Sequence, residues 1–315
     1  MHILITGGAG FIGSHLSEKL LEMGHRVSVI DSFSPFYDIS IKRKNLEKAF
    51  SYDNFSLYEI DVRDSENITE IFVLNQFDVV VHLASKAGVR PSLLLPRAYF
   101  EVNVNGTLNI LEECVRHKID KVVYASSSSV YGNSADVPFK ETHNVDFPIS
   151  PYAASKKAGE LICHNYHYLY GLNIFALRFF TVYGPRNRPD MGMYKFCKAI
   201  DEGKTIQMFG DGKPRRDFTF VEDIVDGIIR SINNVNGFEI FNLGESKTIS
   251  VADLIKVFED VTGRKAETKS MPMQPGDVMQ TYADISKARE MLGYDPKTDI
   301  PGGVKKLFEW YQQTK

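Results

Sequence analysis

The stretch Gly7-Gly8-Ala9-Gly10-Phe11-Ile12-Gly13 joins an apolar run, His2 to Thr6, to a helical pattern that continues to Gly24. Glycines at a strand-to-helix turn allow a tight bend and close approach of a ligand to the backbone, and the helix N-terminus favours a pyrophosphate. The glycine spacing is a variant of the usual dinucleotide-binding pattern. It predicts a dinucleotide site at Gly7, Gly10, Phe11, Ile12 and Gly13.

The first half of the chain alternates between apolar runs and helical patterns, which predicts an α/β fold with a doubly wound parallel sheet of the Rossmann type. Val79-Val80-Val81 is continuously apolar, as expected where helices cover both faces of a sheet. The predicted strands are His2 to Thr6, Arg26 to Asp31, Phe55 to Asp61, Phe77 to Ala84, Lys121 to Ser126 and Asn173 to Phe180. The predicted helices are Phe11 to Gly24, Ser65 to Leu74, Arg97 to His117 and Tyr152 to Tyr170.

The alternation loosens after Gly184-Pro185, where glycine, proline and arginine become frequent. We therefore expect a dinucleotide-binding domain over residues 1–180 and a smaller C-terminal α/β lobe over residues 181–315 that mainly binds substrate. Phe218 to Leu243 again has a helical pattern followed by a strand pattern. This predicts that the chain returns to the first sheet around residues 218–245.

Asp31 stands at the end of the second predicted strand. A carboxylate there accepts hydrogen bonds from an adenosine ribose and repels a 2′-phosphate, so NAD is favoured over NADP. Further cofactor contacts are expected where the third and fourth strands end at the same sheet edge, and on the helix that follows; strand-end capping is the alternative for each. These residues are Asp61, Val62, Leu83, Ala84, Ser85 and Asn103.

Tyr152 and Lys156 are four residues apart and so share one helix face. One cation at about 4 Å in an effective dielectric of ~20 supplies about 4 kcal/mol in favour of phenolate. The pKa of Tyr152 is therefore expected to fall from about 10 toward roughly 7, where the phenolate acts as a base in hydride chemistry. The same spacing on its own is also typical of an ordinary surface helix.

Ser126-Ser127-Ser128-Ser129 follows the strand Lys121 to Ala125 and reaches the same sheet edge as the glycine turn. A hydroxyl there is expected to face Tyr152 across the substrate, and Ser126 is expected to contact the cofactor. The alternative is an ordinary serine-rich loop.

The composition is that of an ordinary globular protein, with 315 residues and a net charge of -3. It lacks the basic field expected of a nucleic-acid binder. The first residues lack the basic region and cleavage site of a signal peptide, and no apolar stretch approaches the ~20 residues of a membrane span, so a cytoplasmic enzyme is expected. Cys114, Cys163 and Cys197 are expected to be reduced core thiols. His164 and His167, three residues apart on one predicted helix, have no carboxylate partner at metal-ligand spacing, so no metal site is expected.

The chain resembles the extended short-chain dehydrogenases/reductases that modify nucleotide sugars. The resemblance covers essentially all residues through the glycine turn, Asp31, the serine segment, Tyr152-x-x-x-Lys156, Leu177 to Pro185 and Arg216-Asp217-Phe218. It implies tightly held NAD, a UDP-sugar gripped by the second lobe, and a homodimer formed through Arg97 to His117 and Tyr152 to Tyr170. By register with the family, Ser127 is the catalytic hydroxyl that hydrogen-bonds the sugar O4.

The resemblance also indicates the reaction, because the residues before Val130-Tyr131-Gly132 differ among family members. Sugar 4,6-dehydratases have Asp-Glu there and glucuronate decarboxylases have a glutamate, whereas this chain has Ser128 and Ser129. The expected activity is therefore 4-epimerisation through a 4-keto intermediate.

Further segments are similar to bacterial UDP-glucuronate 4-epimerases, including Ala87-Gly88-Val89-Arg90 and Met271 to Asp277. Thr181 and Gln274 stand where UDP-glucose 4-epimerases usually have asparagine and arginine. The resemblance implies a sugar carboxylate bound by Ser128, Ser129 and Thr181. It implies nucleotide contacts from Arg90, Arg188, Gln207, Phe209, Arg216 and Asp277.

Two alternatives remain open. One is a UDP-glucose or UDP-N-acetylglucosamine 4-epimerase. The other is a non-catalytic NAD-binding regulator on the same fold, against which the joint presence of Ser127, Tyr152 and Lys156 argues.

Overall fold

A seven-stranded parallel sheet forms the centre of the computed structural model, which describes residues 1–273 and 276–315. The strand order is β11-β6-β5-β4-β1-β2-β3. The chain crosses from one half of the sheet to the other between β3 and β4, so ligands are expected where the strand order reverses, at the carboxyl edge. The strands are β1 His2–Thr6, β2 Arg26–Ile30, β3 Phe55–Tyr58, β4 Val79–His82, β5 Lys121–Ser127, β6 Asn173–Phe179 and β11 Phe238–Leu243.

Both faces of this sheet are buried under helices. In β1, Ile3 and Ile5 pack into one apolar core with Leu16 and Ile224, whereas Leu4 packs into a second core with Ile110. Alternate side chains of a strand point to opposite faces, so a strand covered on both faces must be apolar at every position. The predicted Rossmann-type α/β fold is confirmed.

The helices that flank the sheet place the glycine turn and the serine strand at one edge. Ser150 caps the helix that contains Tyr152, since its side chain accepts a hydrogen bond from the N–H of Ala153. These helices are α1 Phe11–Glu22, α2 Ile39–Asn45, α3 Ser65–Leu74, α4 Val89–Leu94, α5 Pro96–Phe100, α6 Gly106–Arg116, α7 Pro151–Tyr170 and α9 Val221–Asn234.

The predicted helix Arg97 to His117 is not uniform. Between α5 and α6, Glu101–Asn105 forms a π-helical turn. A π turn adds one residue to the helix and redirects the side chains that follow, and it is often found at functional sites. Here it turns Asn103 inward.

The remaining helices and short strands lie outside the seven-stranded sheet. Short strands pair in twos: β7 with β10, β8 with β13 and β9 with β12. The chain returns to the main sheet at β11, which pairs in parallel with β6. The elements are β7 Thr181–Tyr183, α8 Gly192–Glu202, β8 Ile206–Phe209, β9 Arg215–Arg216, β10 Phe218–Phe220, β12 Ile249–Ser250, α10 Val251–Thr262, β13 Thr268–Met271, α11 Ser286–Leu292 and α12 Ile300–Thr314.

Three buried free cysteines, Cys114, Cys163 and Cys197, agree with the expectation of core thiols. Among the described residues, no helix has both the length and the apolar character needed to cross a membrane. Gln274, which the resemblance uses to separate glucuronate from glucose enzymes, lies outside the described residues.

Candidate active site

The backbone of the glycine turn packs so closely against neighbouring backbone that two of its positions have no space for a side chain. Gly7 has φ +74°, and a side chain at Gly7 would meet the backbone N of Ala84 at 2.8 Å. A Cβ on Gly13 would collide with the carbonyl oxygen of Gly7. Both positions therefore require glycine.

A cavity of about 270 Å³ opens over this turn. Its lining includes eleven of the predicted cofactor residues: Gly7, Gly10, Phe11, Ile12, Gly13, Asp31, Asp61, Val62, Leu83, Ala84 and Ser85. The fold thus gathers residues from four strand ends into one cleft.

The Asp31 carboxylate is held in place by hydrogen bonds within the protein. It accepts hydrogen bonds from the N–H of Ala9 at 3.1 Å and of Phe33 at 2.8 Å. Lys42 Nζ lies 3.6 Å from Oδ1 of this carboxylate, the oxygen that accepts from Phe33. Lys42 also lines the same cavity. Sequence reasoning missed Lys42, although the basic run Lys42-Arg43-Lys44 was a visible signal.

Asp61 is held by a second missed residue. Arg63 donates from Nε to Oδ1 at 2.9 Å and from Nη2 to Oδ2 at 2.8 Å, and these bonds lower the pKa of Asp61. Both residues line the cavity. In the sequence, the only indication of this ion pair is that Asp61 and Arg63 stand two positions apart.

Asn103, a predicted cofactor contact, is buried and is not among the residues that line the smaller cavity. Its Oδ1 accepts from the N–H of Lys86 at 2.7 Å, and its Nδ2 donates to Lys86 O and to Ser155 Oγ. With 1% exposure, its amide is used entirely within the protein. It therefore fixes the loop that lines the cavity and ties that loop to α7.

A larger cavity of about 820 Å³ lies beside the first, and Arg188 lines both. All ten predicted substrate residues line the larger cavity: Arg90, Ser127, Ser128, Ser129, Thr181, Arg188, Gln207, Phe209, Arg216 and Asp277. Ser126 and Tyr152 line it too, which puts the predicted base in the wall of the substrate cavity. Residues from both predicted domains thus line one cavity.

The Ser127 hydroxyl lies within a short chain of polar groups. It is 2.7 Å from the Ser129 hydroxyl and accepts from the N–H of Ser129 at 3.2 Å. Ser126 instead donates to Glu160 at 2.6 Å, behind the cavity. Ser127 and Ser129 therefore form the inner polar wall.

The pKa of Tyr152 is shifted in the direction opposite to the prediction. Burial raises the pKa of the phenol above its usual range, while hydrogen bonding with Ser127 and the charge of Arg188 act against that rise. Lys156 does not acidify the phenol in this geometry, because its Nζ donates to the carbonyl of Ala125 at 2.7 Å. Burial also lowers the pKa of Lys156 to about 7.

Arg188, which the resemblance assigns to uridine or phosphate, lies where the two cavities meet. It pairs with Asp190 through Nε at 3.0 Å and Nη2 at 2.8 Å. Its charge reaches Tyr152, Tyr37 and Tyr99. The Tyr99 ring packs edge-on against Tyr152 with centroids 6.1 Å apart, a contact without any sequence signal.

At the far end of the cavity, Arg90 connects α4 to the C-terminal part of the chain. Its Nη2 donates to Asp277 Oδ2 at 2.7 Å, and its guanidinium lies over the Phe209 ring at 4.6 Å. Arg216 donates to the carbonyl of Arg215 at 2.9 Å, and among the described residues it forms no salt bridge. This end of the cavity offers cationic, aromatic and carboxylate groups together.

The histidines are structural. His82 lies in β4, hydrogen-bonded to Thr6 and Thr107. His164 packs edge-on against Phe238, and His167 bonds the carbonyl of Leu172. In the described part of the chain, no group of three or more His, Cys, Asp or Glu side chains is arranged to hold a metal.

Comparison with known proteins gives consistent matches over the whole chain. The family model of GDP-mannose 4,6 dehydratase matches residues 4–307. The chain is 42% identical to UDP-glucuronate 4-epimerase of Thermodesulfobacterium geofontis, covering 99% of this chain and 96% of that protein.

Solved structures agree with these sequence matches. UDP-glucuronic acid 4-epimerase from Bacillus cereus, in complex with UDP-glucuronic acid and NAD, matches with a TM-score of 0.93 at 34% identity and full coverage of both chains. UDP-glucose 4-epimerase from Thermotoga maritima with UDP-glucose matches with a TM-score of 0.92 at 33% identity, covering 100% of this chain and 99% of that one.

Proposed function

The chain belongs to the GDP-mannose 4,6-dehydratase family of extended short-chain dehydrogenases/reductases, and we propose that it is an NAD-dependent UDP-sugar 4-epimerase that interconverts UDP-glucuronate and UDP-galacturonate. The observation that supports this most is the composition of the wall of the larger cavity. There Tyr152 and Ser127 meet a wall of small hydroxyls with no carboxylate at position 128 or 129.

The smaller cavity fits NAD. The glycine turn excludes side chains where a pyrophosphate must approach the backbone, and Asp31 is held in place to accept from ribose hydroxyls. The residues that would hold the cofactor are those of the glycine turn, Asp31, Asp61, Val62, Leu83, Ala84 and Ser85, with Tyr152 and Lys156 at the nicotinamide end. Oxidised NAD supplies a hydride acceptor that bears a formal positive charge.

Tyr152 acts as the proton shuttle for C4. Its phenolate takes the proton of the sugar 4-hydroxyl as the C4–H bond breaks and hydride leaves, which produces a C4 ketone. The ketone turns within the cavity, hydride returns to its opposite face, and Tyr152 gives the proton back to O4. Ser127 hydrogen-bonds O4 in both directions, and the cofactor ends each cycle in its starting oxidation state.

Because burial raises the pKa of Tyr152, the phenolate needs nearby positive charge. Arg188 supplies part of it from the cavity junction, and the oxidised cofactor would supply the rest when bound. Lys156, whose Nζ donates to the carbonyl of Ala125, is assigned to the nicotinamide ribose.

The sugar carboxylate is assigned to Ser128, Ser129 and Thr181. Hydroxyls fix a carboxylate by hydrogen bonds without placing a full cation against it. This matters because a 4-ketone lies beta to that carboxylate and loses carbon dioxide readily. Arg188, the nearest arginine in the cavity junction, is already paired in a bidentate manner with Asp190.

The UDP moiety is assigned to the opposite end of the cavity. Arg216, which forms no salt bridge among the described residues, suits a diphosphate because its planar fork binds two oxygens. Asp277 is placed to accept from the uridine ribose, and Gln207 and Phe209 lie on β8 beside it. Arg90 contacts both Asp277 and Phe209 at this end of the cavity.

A UDP-glucose 4-epimerase is the second candidate, since the Thermotoga maritima enzyme matches almost as well in structure. One NMR time course for each of UDP-glucuronate, UDP-glucose and UDP-N-acetylglucosamine separates these activities. We expect UDP-galacturonate to accumulate from UDP-glucuronate, and a Tyr152→Phe variant to retain NAD without turnover. Exclusive turnover of UDP-glucose, or turnover by Tyr152→Phe, would contradict the proposal, and retained NAD with no turnover of any sugar in the native enzyme would favour a regulator.

We further propose that the protein is a cytoplasmic homodimer. The outer face of α7 exposes Leu161, Tyr168 and Leu169, all more than half exposed, next to the exposed Phe100 of α5. Three reduced core cysteines fit a reducing compartment. Sedimentation equilibrium should give a dimer for the native protein and for Leu74→Glu, whose side chain is exposed on α3, and a monomer for Leu161→Glu.

A further inference from the structure

Asp217 is a buried carboxylate that the reaction described above does not use. It follows Arg216 directly and is 0% exposed. It lines neither cavity. A buried carboxylate is costly unless several donors satisfy it, so its partners show what it does.

The carboxylate gathers the backbone of two distant loops. Oδ1 accepts from the N–H of Glu245 at 2.7 Å, and Oδ2 accepts from the N–H of Ser246 and of Ala283, both at 3.1 Å. Ser246 has φ +59°, a left-handed conformation that is strained for a residue with a side chain. The bond to Asp217 helps to hold that turn.

The backbone of Asp217 bonds to the Ala283 stretch a second time and to one further segment. Its N–H donates to Thr281 Oγ1 at 3.2 Å, and its carbonyl oxygen accepts from the N–H of Thr181 at 3.1 Å. Thr181 and Thr281 both line the substrate cavity. One residue thus bonds to three other parts of the chain.

These segments deliver the nucleotide end of the cavity. Arg216 is adjacent to Asp217, and Thr281 and Ala283 follow Asp277 within one short stretch. The packing around Asp217 is tight, because a Cβ on Gly244 would lie 3.1 Å from Asp217 Oδ2 and 2.6 Å from the Cβ of Ala283. Burial raises the pKa of Asp217 to about 6 despite the three backbone donors, so the fold keeps this charge at an energetic cost.

We propose that Asp217 is a positioning residue for nucleotide binding, which acts by bonding the chain around Arg216 to the chain that follows Asp277 so that the two contact the same UDP. This rests on the proposed function, in which Arg216 takes the diphosphate and Asp277 the ribose. Asp217 itself touches no substrate atom.

The test uses the NAD-loaded, full-length enzyme with an Asp217→Asn substitution. An amide nitrogen cannot accept hydrogen bonds, so at least one backbone N–H loses its partner and the two segments separate. We expect the Kd for UDP, measured by calorimetry, and the KM for UDP-glucuronate to rise together by about tenfold or more, with kcat within about twofold and NAD content unchanged.

A matched control and a second variant keep the proposal falsifiable. Asp284→Asn changes a carboxylate next to Ala283 that only caps Ser286, and should leave both constants unchanged. Gly244→Ala adds a methyl group that crowds Ala283 and the Asp217 carboxylate. If Asp217→Asn does not fold, this variant should reproduce the rise in Kd and KM. Native Kd for UDP in a folded Asp217→Asn or Gly244→Ala protein, or a fall in kcat alone, would overturn the proposal.

The two hypotheses fail in different ways. UDP binding does not depend on which sugar the enzyme turns over, so the calorimetric result stands even if native protein leaves UDP-glucuronate unchanged. The latter result would instead overturn the proposed function.

Discussion

Tyr152 and Lys156 illustrate at the scale of single residues how burial sets chemistry. Burial raises the pKa of the phenol and lowers that of the ammonium, so both shifts favour neutral groups. The charges that counter this come from other segments, with Arg188 the one that the structure shows acting on the phenol. The proton shuttle is therefore set by its surroundings as much as by the Tyr-x-x-x-Lys spacing.

Thr181 gives a prediction at this scale. Thr181→Val keeps the branched shape in β7 but removes the hydroxyl assigned to the sugar carboxylate. We expect the C5–C6 bond of the 4-keto intermediate to break more often, which releases carbon dioxide and UDP-4-ketopentose and leaves reduced cofactor bound. NMR of the products and nicotinamide fluorescence measure this, with a several-fold larger by-product fraction expected.

Thr181→Ser retains the hydroxyl and serves as the control. It should resemble the native enzyme in both measurements. An equal by-product fraction in Thr181→Val and the native enzyme would contradict the assignment.

The helix α7 acts as one element that aligns the catalytic groups with the sheet. Lys156, Gly159 and Glu160 face β5 and β6 within one turn and a half, as i, i+3 and i+4 neighbours do. Glu160 forms a buried ion pair with Arg178 of β6 at 2.8 Å and accepts from Ser126 of β5 at 2.6 Å. Arg178 Nη1 also donates to the Tyr131 hydroxyl at 2.9 Å, so the network links the helix to the loop beyond the serines.

Gly159 decides how closely this helix approaches β5. A Cβ there would overlap the hydroxyl of Tyr124, which is buried. Gly159→Ala gains about 1 kcal/mol of helix propensity. We nevertheless expect a net loss of about 1–3 kcal/mol in the free energy of unfolding, because overpacking displaces the helix. Urea denaturation measures the loss, and kcat should fall because Tyr152 moves with the helix.

Gly192→Ala is the control for stability, since a Cβ on Gly192 meets no atom within 4 Å. It should not lower the free energy of unfolding. A Gly159→Ala protein at least as stable as the native enzyme would show that the helix tolerates a wider spacing from β5.

The whole molecule has a built-in sensitivity to acid. Burial lowers the pKa of His82 to about 3 and of His15 to about 4. The unfolded chain binds protons at these imidazoles near pH 6.5, whereas the folded chain does not. Between the two pKa values the unfolded state holds more protons, so stability falls as the pH falls.

The expected cost is about 2 kcal/mol for His82 between about pH 7.5 and about pH 5. Urea denaturation of the native enzyme and of His82→Gln at both pH values measures it. The variant starts from lower stability, because it loses bonds to Thr6 and Thr107, but its stability should fall by about 2 kcal/mol less on acidification. Parallel losses in both proteins would contradict the assignment to His82.

The amino-acid sequence determined the features that lie within one segment. The glycine turn, Asp31 at a strand end, the serines after β5 and the pairing of Tyr152 with Lys156 need only local periodicity and the rule that parallel strands end at one edge. For the same reason the fold class could be predicted from the sequence, whereas the family came from the resemblance of its motifs. The resemblance supplied the residues of the nucleotide end, which are scattered along the chain.

Only the tertiary structure decided what depends on distant neighbours. Burial and partners on other segments determine the direction of the Tyr152 pKa shift and the hydrogen bonds of Asn103. They also determine the pairing of Arg188 with Asp190 and the contacts of Asp217. Desolvation and hydrogen bonding act over a few ångströms in space. Spacing along the chain gives no measure of those distances until the segments have packed.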